Sequence, residues 1–199
     1  MKNLLSFLAF IVSLSLAAQD QPPKPQLLKE PADWSFERFE LPPSFAPGIP
    51  YKGAEELRFS PGMFKKDSAT YFTYAFVAEI DNTTSISQNN ISDYLLNYFR
   101  GLCSITARDR KLVIDTTKIS VSVEKKKGTA KNETIYNALL NVFGVFADGA
   151  PVKLNVEIKV LMNTAAKKAY LIFVASPREK TDEVWKKLYT IQKDFTIPI

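Results

Sequence analysis

The sequence VKLNVEIKV at residues 152–160 and the sequence AYLIFVA at residues 169–175 decide the fold class. The first alternates apolar with polar residues, which is typical of a strand that buries only one face. The second carries an apolar or aromatic side chain at every position, which indicates a central strand covered on both faces. Residues 163–168 between them suit a hairpin turn. The C-terminal half is therefore predicted to contain an antiparallel pair of strands.

Three segments nearer the N-terminus also have strand patterns. Residues 71–80 read YFTYAFVAEI, with apolar side chains on both faces, so this strand is also expected to be covered on both sides. Residues 118–124 alternate Ile and Val with polar residues and predict a strand with one buried face. Residues 54–59 predict a short strand, because a Ser-Pro-Gly turn follows it directly.

Residues 133–147 fit two different structures. Apolar residues spaced by four, three and four positions predict an amphipathic helix, with Ile135, Leu139, Val142 and Phe146 on its buried side. A strand would instead bury the alternate residues Tyr136, Ala138, Leu140 and Val142. The strand would complete a four-stranded antiparallel meander with its neighbours, and the two alternatives remain open at this point.

Two helices are predicted, one after the strand at residues 71–80 and one after the strand at residues 169–175. The first has a capping box at Ser85 and Gln88, followed by one apolar stripe: Ile91, Leu95, Tyr98, Leu102 and Ile105. Gly101 within it predicts a close contact between helix and sheet. The second begins with Ser176 as N-cap, Pro177 at the first helical position and Glu179 completing a capping box. Its apolar stripe is Val184, Leu188, Ile191 and Phe195.

These elements predict an α+β fold. We expect one domain over residues 34–199, with a mainly antiparallel sheet of about four to six strands. Two helices, or three if residues 133–147 are helical, would pack on one face and leave the other solvated or poor in helix. A Pro- and aromatic-rich N-terminal arm from Trp34 to about Phe64 is expected to pack over the domain, because nine of the 12 prolines lie between Pro22 and Pro61.

The N-terminus predicts export. Residues 1–18 combine Lys2, an apolar run from Leu4 to Leu16 and small residues at the end, which is the pattern of a cleaved signal peptide. This run is shorter than the ~20 residues that span a bilayer, so no transmembrane segment is expected. Residues 19–33 read as a flexible Pro-rich linker. The product is expected in the periplasm or outside the cell, and it is not a lipoprotein, because Cys103 is far from the cleavage site.

The composition excludes many kinds of active site. The 199 residues include no His and one Cys, which excludes Ser-His-Asp and Cys-His nucleophiles, His-based metal sites and disulfides within the chain. No cofactor or metal is expected. Cys103 falls in a helical pattern and is predicted to be a buried packing residue.

Aromatic residues of the arm suggest a binding groove. An arm folded over the sheet would bring together five candidate ligand-binding residues: Trp34, Tyr51, Arg58, Tyr74 and Arg100. The competing interpretation is that the aromatic rings of the arm only fix it to the core.

Acidic residues are the remaining route to catalysis. Glu55, Glu56, Glu79 and Glu157 lie on or beside predicted strands, and a pair of carboxylates ~5–9 Å apart hydrolyses glycosides without His. Two such groups facing each other in a cleft would favour an enzyme.

Residues 108–131 hold most of the positive charge. Eight basic residues stand against three acidic ones in this segment. It would bind a polyanion if Lys125–Lys127 shared a face with Arg108, Arg110 and Lys111, although export removes most nucleic acid from reach as a partner. The alternative is a solvated loop that protects a sheet edge.

The sequence thus predicts an exported, non-catalytic domain that binds an unknown ligand or protein of the cell envelope or extracellular space. The alternative is a His-independent, carboxylate-based hydrolase of envelope or extracellular glycans. A filled core capped by aromatic residues, without a polar cleft, would favour the binding domain.

Overall fold

A computed structural model describes residues 26–81, 84–126 and 133–198. These residues form seven strands, two α-helices and one 3₁₀ turn. In chain order they are β1 (Ser35–Leu41), β2 (Gly53–Phe59), β3 (Tyr74–Asp81), α1 (Gln88–Arg110), the 3₁₀ turn (Thr116–Lys118), β4 (Ser120–Lys125), β5 (Glu133–Phe143), β6 (Pro151–Asn163), β7 (Lys168–Ser176) and α2 (Glu183–Asp194).

The strands form one antiparallel sheet in the order β1-β2-β3-β7-β6-β5-β4. This confirms the α+β class and the hairpin between β6 and β7. The described residues hold more strands than the predicted four to six, partly because β1 pairs with β2 at the edge of the sheet. We expected this part of the arm to lie over the domain. An edge position is possible because the prolines of the arm fall outside β1.

The ambiguous segment is strand β5. It pairs with β4 on one side and with β6 on the other, and it completes the antiparallel meander β4-β5-β6-β7. Its buried residues are those of the strand alternative: Tyr136, Ala138, Leu140 and Val142. Both patterns bury the same number of apolar residues, so the neighbouring strands decide between them by supplying backbone partners.

Helices α1 and α2 lie on opposite faces of the sheet. On one face, Tyr94, Leu95 and Tyr98 of α1 pack with Phe76 and Phe173. On the other, residues of α2 join a second cluster that includes Val77 and Ile172. The prediction that both helices share one face is therefore wrong. Strands β3 and β7 are apolar on both faces, so each face needs a helix to cover it.

A helix-poor surface nevertheless exists on part of the α2 face. There β4, β5 and β6 expose Ser122, Leu139, Asn141 and Lys153. Glu157 on the same face was predicted to point to solvent, but it is only 4% exposed, since Lys126 and Lys180 lie over it.

The N-cap of α1 lies two residues after the predicted one. Ser87 is the N-cap and forms a capping box with Asn90, whereas Ser85 and Gln88 were expected to do so. Gly101 contacts a loop and not the sheet: a Cβ there would lie 1.9 Å from the carbonyl oxygen of Phe45.

The start of α2 was predicted too early. Ser176 is the last residue of β7, and its hydroxyl lies 2.8 Å from the hydroxyl of Thr73. The helix begins at Glu183 after the N-cap Asp182, which makes no side-chain capping bond. The strand ladder therefore outcompeted the local helix-start signal at residues 176–179.

The segment before β1 is part of the folded structure. Residues 27–33, which we call the strap, were predicted to belong to a flexible linker, but Leu28 is only 3% exposed and packs in the α2-side core. Leu28 fills an apolar site that the polar composition of the segment did not predict. The predicted signal peptide at residues 1–18 and residues 19–25 of the predicted linker lie outside the described residues. In the described part of the chain, neither helix has the length and apolar character needed to cross a membrane.

Candidate functional site

The five residues proposed from the sequence do not form one groove. Trp34 and Arg58 lie on the α2 side of the sheet, whereas Tyr51 and Tyr74 lie on the α1 side. Arg100 is exposed on the surface of α1. The sheet itself separates the two pairs, because the alternation of strand residues sends neighbours to opposite faces.

Arg58 already has partners from the protein itself. Its guanidinium donates hydrogen bonds to three main-chain carbonyl oxygens, those of Leu28, Lys29 and Trp34, at 3.0–3.1 Å. It also stacks on the ring of Phe36, 4.7 Å from the ring centroid. The residue is 6% exposed, so a soluble ligand does not reach it while the strap is in place.

Tyr74 belongs to a polar cluster inside the α1-side core. Glu55 in this cluster is fully buried and accepts hydrogen bonds from the hydroxyls of Tyr94, at 2.7 Å, and Tyr98, at 2.8 Å. Burial raises the pKa of Glu55 to about 8. The Tyr74 hydroxyl is buried and has no hydrogen-bond partner among the described residues. The cluster joins β2 to α1 and does not open to solvent.

The four candidate catalytic carboxylates do not form an open pair. Glu55 lies on the α1 side, whereas the other three lie on the α2 side. Glu56 and Glu79 are diagonal neighbours on β2 and β3, but Glu56 is fully buried beneath the strap and Glu79 pairs with Lys168. Glu157 lies 3.6 Å from each of two lysine ammonium groups. A glycan would not reach any two of these groups together, so this geometry does not favour the hydrolase.

Lys180 is the less exposed of the two lysines beside Glu157. Its ammonium group donates to the side-chain oxygen of Asn137 at 2.6 Å and lies 5.3 Å from the ring centroid of Trp185. Burial lowers the pKa of Lys180, and the nearby Glu157 carboxylate opposes that shift. The local charges are thus largely compensated within the protein.

Cys103 has the predicted position inside the protein. Its side chain is fully buried, and its thiol lies 3.9 Å from the carbonyl oxygen of Phe143. Burial raises the pKa of the thiol to about 11, so the reactive thiolate is scarce at neutral pH. The expectation of a buried packing residue is confirmed.

The described basic residues of the segment 108–131 are split between two ends of β4. Arg108, Arg110 and Lys111 lie at the end of α1 near the start of β4, whereas Lys125 and Lys126 lie at or beyond its last residue. Five residue steps of strand separate these ends by about 17 Å. Lys127 and Lys131 lie outside the described residues. The described cations therefore do not form the continuous patch that the polyanion hypothesis requires.

An apolar groove lies near the start of β4, beside the end of α1. It has a volume of about 520 Å³ and lies between the segment that follows α1 and the adjoining ends of β5 and β6. Its lining residues are Val113, Ile114, Asp115, Lys118, Asn141, Val142, Phe143 and Pro151. Val113 on the rim is fully exposed, which is unusual for a large aliphatic residue next to other apolar surface.

Three local structures shape the surroundings of the groove. Lys111 adopts the left-handed conformation, with φ of 58°, and ends α1, so that the chain turns away from the helix axis. Asp115 then caps the 3₁₀ turn by accepting the backbone N–H of Thr117 at 3.0 Å. Gly149 in the β5–β6 hairpin has φ of 74°, a conformation that favours glycine, and packs close to Ile114.

The surroundings of the groove carry a net positive charge. The cations nearby in the structure or chain are Arg108, Arg110, Lys111, Lys118 and Lys153, and the carboxylates are Asp109, Asp115 and Asp148. Arg108 and Lys118 pair with aspartates, whereas Lys111 and Lys153 make no ion pair with any residue that the structure describes. The sequence signal that would have located this site is the apolar run Leu112–Ile114 between the charged residues Lys111 and Asp115.

No protein-family model, curated protein or solved structure matches this chain. The described residues also contain no group of three or more acidic, Cys or His side chains that could hold a metal ion. The groove's shape, exposure and charge are therefore the basis for a functional proposal.

Proposed function

We propose that the protein is an exported, non-catalytic protein-binding domain of the cell envelope or extracellular space. The groove beside Val113 takes an apolar side chain from an acidic segment of the partner. The observation that carries this proposal is the full exposure of Val113 next to apolar surface, since a soluble protein gains by covering such a patch.

The openness of the groove favours a protein over a small molecule. Small-molecule sites are concave and commonly bury roughly 70–90% or more of the surface of a drug-sized ligand. A small molecule beside Val113 would remain largely in water, because this side of the groove has no wall. A partner protein covers the rim as well as the groove, and it thereby removes Val113 and Ile114 from water.

Charge complementarity supports an acidic partner. Lys111 and Lys153, which have no ion pair among the described residues, lie near the groove and are free to pair with carboxylates of a bound segment. Such pairs at the rim of an interface contribute mainly to orientation and to the rate of association.

Peptides test this proposal directly. We would measure binding of labelled peptides in which one Leu or Phe is flanked by acidic residues, with the same peptides flanked by Lys as the comparison. The acidic peptides should bind, and Val113→Asp should weaken binding at least tenfold by placing a charge on the rim. Phe36→Asp is the matched control, because Phe36 is also exposed, at 38%, but lies on β1 at the opposite edge of the sheet.

The position of binding gives the second readout. NMR shift changes on adding the acidic peptide should centre on residues 111–118 and 141–151. Equal binding of acidic and basic peptides, or unchanged binding by the Val113→Asp variant, would contradict the proposal.

A further inference from the structure

The strap is held on the sheet by two buried, oppositely charged side chains of β2. One carboxylate oxygen of Glu56 accepts hydrogen bonds from the backbone N–H groups of Leu27 and Leu28, at 2.7 and 3.0 Å. Arg58 donates two hydrogen bonds, both of 3.0 Å, to the carbonyl oxygen of Leu28 and a third, of 3.1 Å, to that of Lys29. Glu56 is fully buried and Arg58 is 6% exposed.

These contacts recognise the main chain of the strap. Each of these hydrogen bonds joins Glu56 or Arg58 to a backbone atom of the strap, so the bonds do not depend on the identity of the strap side chains. Leu28 supplies the apolar contact, in the core that Trp34, Val77 and Ile172 also form. Lys29 and Glu30 are exposed. Main-chain hydrogen bonds combined with a pocket for one side chain are the usual means of binding an extended peptide.

The charged groups of the site take part of their hydrogen-bond partners from the strap. Arg38 pairs with one carboxylate oxygen of Glu56, and the other oxygen accepts hydrogen bonds from the two strap amides. Arg58 lacks a carboxylate partner in the described residues and relies on carbonyl oxygens. Departure of the strap replaces these main-chain partners by water, and another extended peptide restores the hydrogen bonds when it binds.

We propose that Glu56 and Arg58 form a binding site for an extended peptide that carries a leucine-sized side chain, and that the strap occupies this site in competition with such peptides. The strap is joined to the sheet through β1, which gives it an effective concentration in the millimolar range. It therefore excludes weak peptides, and a peptide from another chain binds when it matches the main-chain contacts and fills the Leu28 pocket. This site lies on the α2 side and is independent of the groove beside Val113.

The test uses the full chain with a weakened strap. Leu28→Ala removes the apolar contact of the strap and leaves Glu56 and Arg58 intact. The probe is a labelled peptide with the sequence of residues 26–33, QLLKEPAD. We expect the Leu28→Ala protein to bind this peptide at least tenfold more tightly than the unaltered protein does.

Two controls separate main-chain recognition from non-specific binding. A peptide N-methylated at the residues corresponding to Leu27 and Leu28 cannot donate to Glu56, and it should bind at least tenfold more weakly. Adding Glu56→Gln to the Leu28→Ala protein should weaken binding of the unmodified peptide, because a neutral amide oxygen is a weaker acceptor than a carboxylate oxygen. Circular dichroism would establish that each variant is folded.

Hydrogen exchange of the unaltered protein keeps the proposal testable if a variant does not fold. The backbone amides of Leu27 and Leu28 should exchange at least tenfold faster than that of Ile172 in the centre of β7, because the strap opens without global unfolding. Exchange of the strap and of Ile172 at the same rate would overturn the proposal. Equal binding of the methylated and unmodified peptides, or no binding to folded Leu28→Ala protein, would overturn it too.

Discussion

Glu55 is the residue at which burial changes the chemistry of this protein most clearly. Its carboxyl group lies between β2 and α1 with the hydroxyls of Tyr94 and Tyr98 as hydrogen-bond donors. Desolvation dominates and raises its pKa from 4.5 to about 8, although the two tyrosine hydrogen bonds lower it. At neutral pH the group is therefore mostly protonated inside the core, and the apolar surroundings do not have to hold a charge.

This pKa shift predicts a pH dependence of stability. Between pH 4.5 and about 8, Glu55 is ionised in the unfolded chain and protonated in the folded one. Stability therefore falls as the pH rises through this window, by up to about 1.4 kcal/mol per pH unit from this group. Glu55→Gln should remove that slope, which urea unfolding at pH 5 and pH 8 would measure. An unchanged slope in the variant would show that Glu55 is not its source.

The tyrosine hydroxyls around Glu55 should contribute differently to the free energy of unfolding. Tyr98→Phe removes a hydrogen bond of 2.8 Å to Glu55 and should cost about 1–3 kcal/mol, because a buried acceptor loses its donor. Tyr74→Phe removes a hydroxyl that has no partner among the described residues, and it should be neutral or slightly stabilising. Thermal or urea unfolding of the two variants compares them. A large loss for Tyr74→Phe would mean that its hydroxyl has a partner such as a bound water.

At the scale of elements, the packing of α1 depends on a loop as well as on the sheet. The loop between β1 and β2 passes so close to α1 that a Cβ at Gly101 would lie 1.9 Å from the Phe45 carbonyl oxygen. Phe45 in this loop packs its ring at 5.1 Å from that of Tyr98. The glycine therefore allows the loop to seal the aromatic core.

Gly101→Ala tests this close approach. Alanine is favoured over glycine in helices by about 1 kcal/mol, so helix propensity alone predicts stabilisation. We expect destabilisation by more than 1 kcal/mol, because the new methyl group collides with backbone and must displace the loop. Ser104→Ala, at an exposed position of the same helix, is the control and should change the urea midpoint little. Stabilisation by Gly101→Ala would contradict the contact.

For the whole molecule, the strap links the N-terminal segment to the sheet. A chain that begins at Trp34 lacks Leu28 and leaves Glu56 and Arg58 without their strap partners. We expect it to be less stable than a chain that begins at Gln26 by at least the ~1.5–3 kcal/mol that burial of a leucine-sized side chain contributes. Urea unfolding of both chains measures the difference. Equal midpoints would show that the strap contributes nothing to the stability of the sheet.

The sequence by itself determined the elements whose patterns are local. The alternation in β6, the apolar run of β7, their hairpin and the stripe of α1 were all predictable, because each depends on residues within one or two turns or strand repeats. The α+β class followed from them. Positions of the predicted site residues did not follow, since Trp34 and Arg58 lie across the sheet from Tyr51 and Tyr74.

Only the tertiary structure decided the remaining features. Residues 133–143 became a strand because β4 and β6 supply partners on both sides, and Ser176 stayed in β7 because the ladder with β6 continues to it. The burial of Leu28 and the groove beside Val113 likewise depend on segments that are distant along the chain. A local pattern indicates which face a residue prefers. Strand pairing and burial depend instead on the segments that lie opposite, and those segments are distant in the sequence.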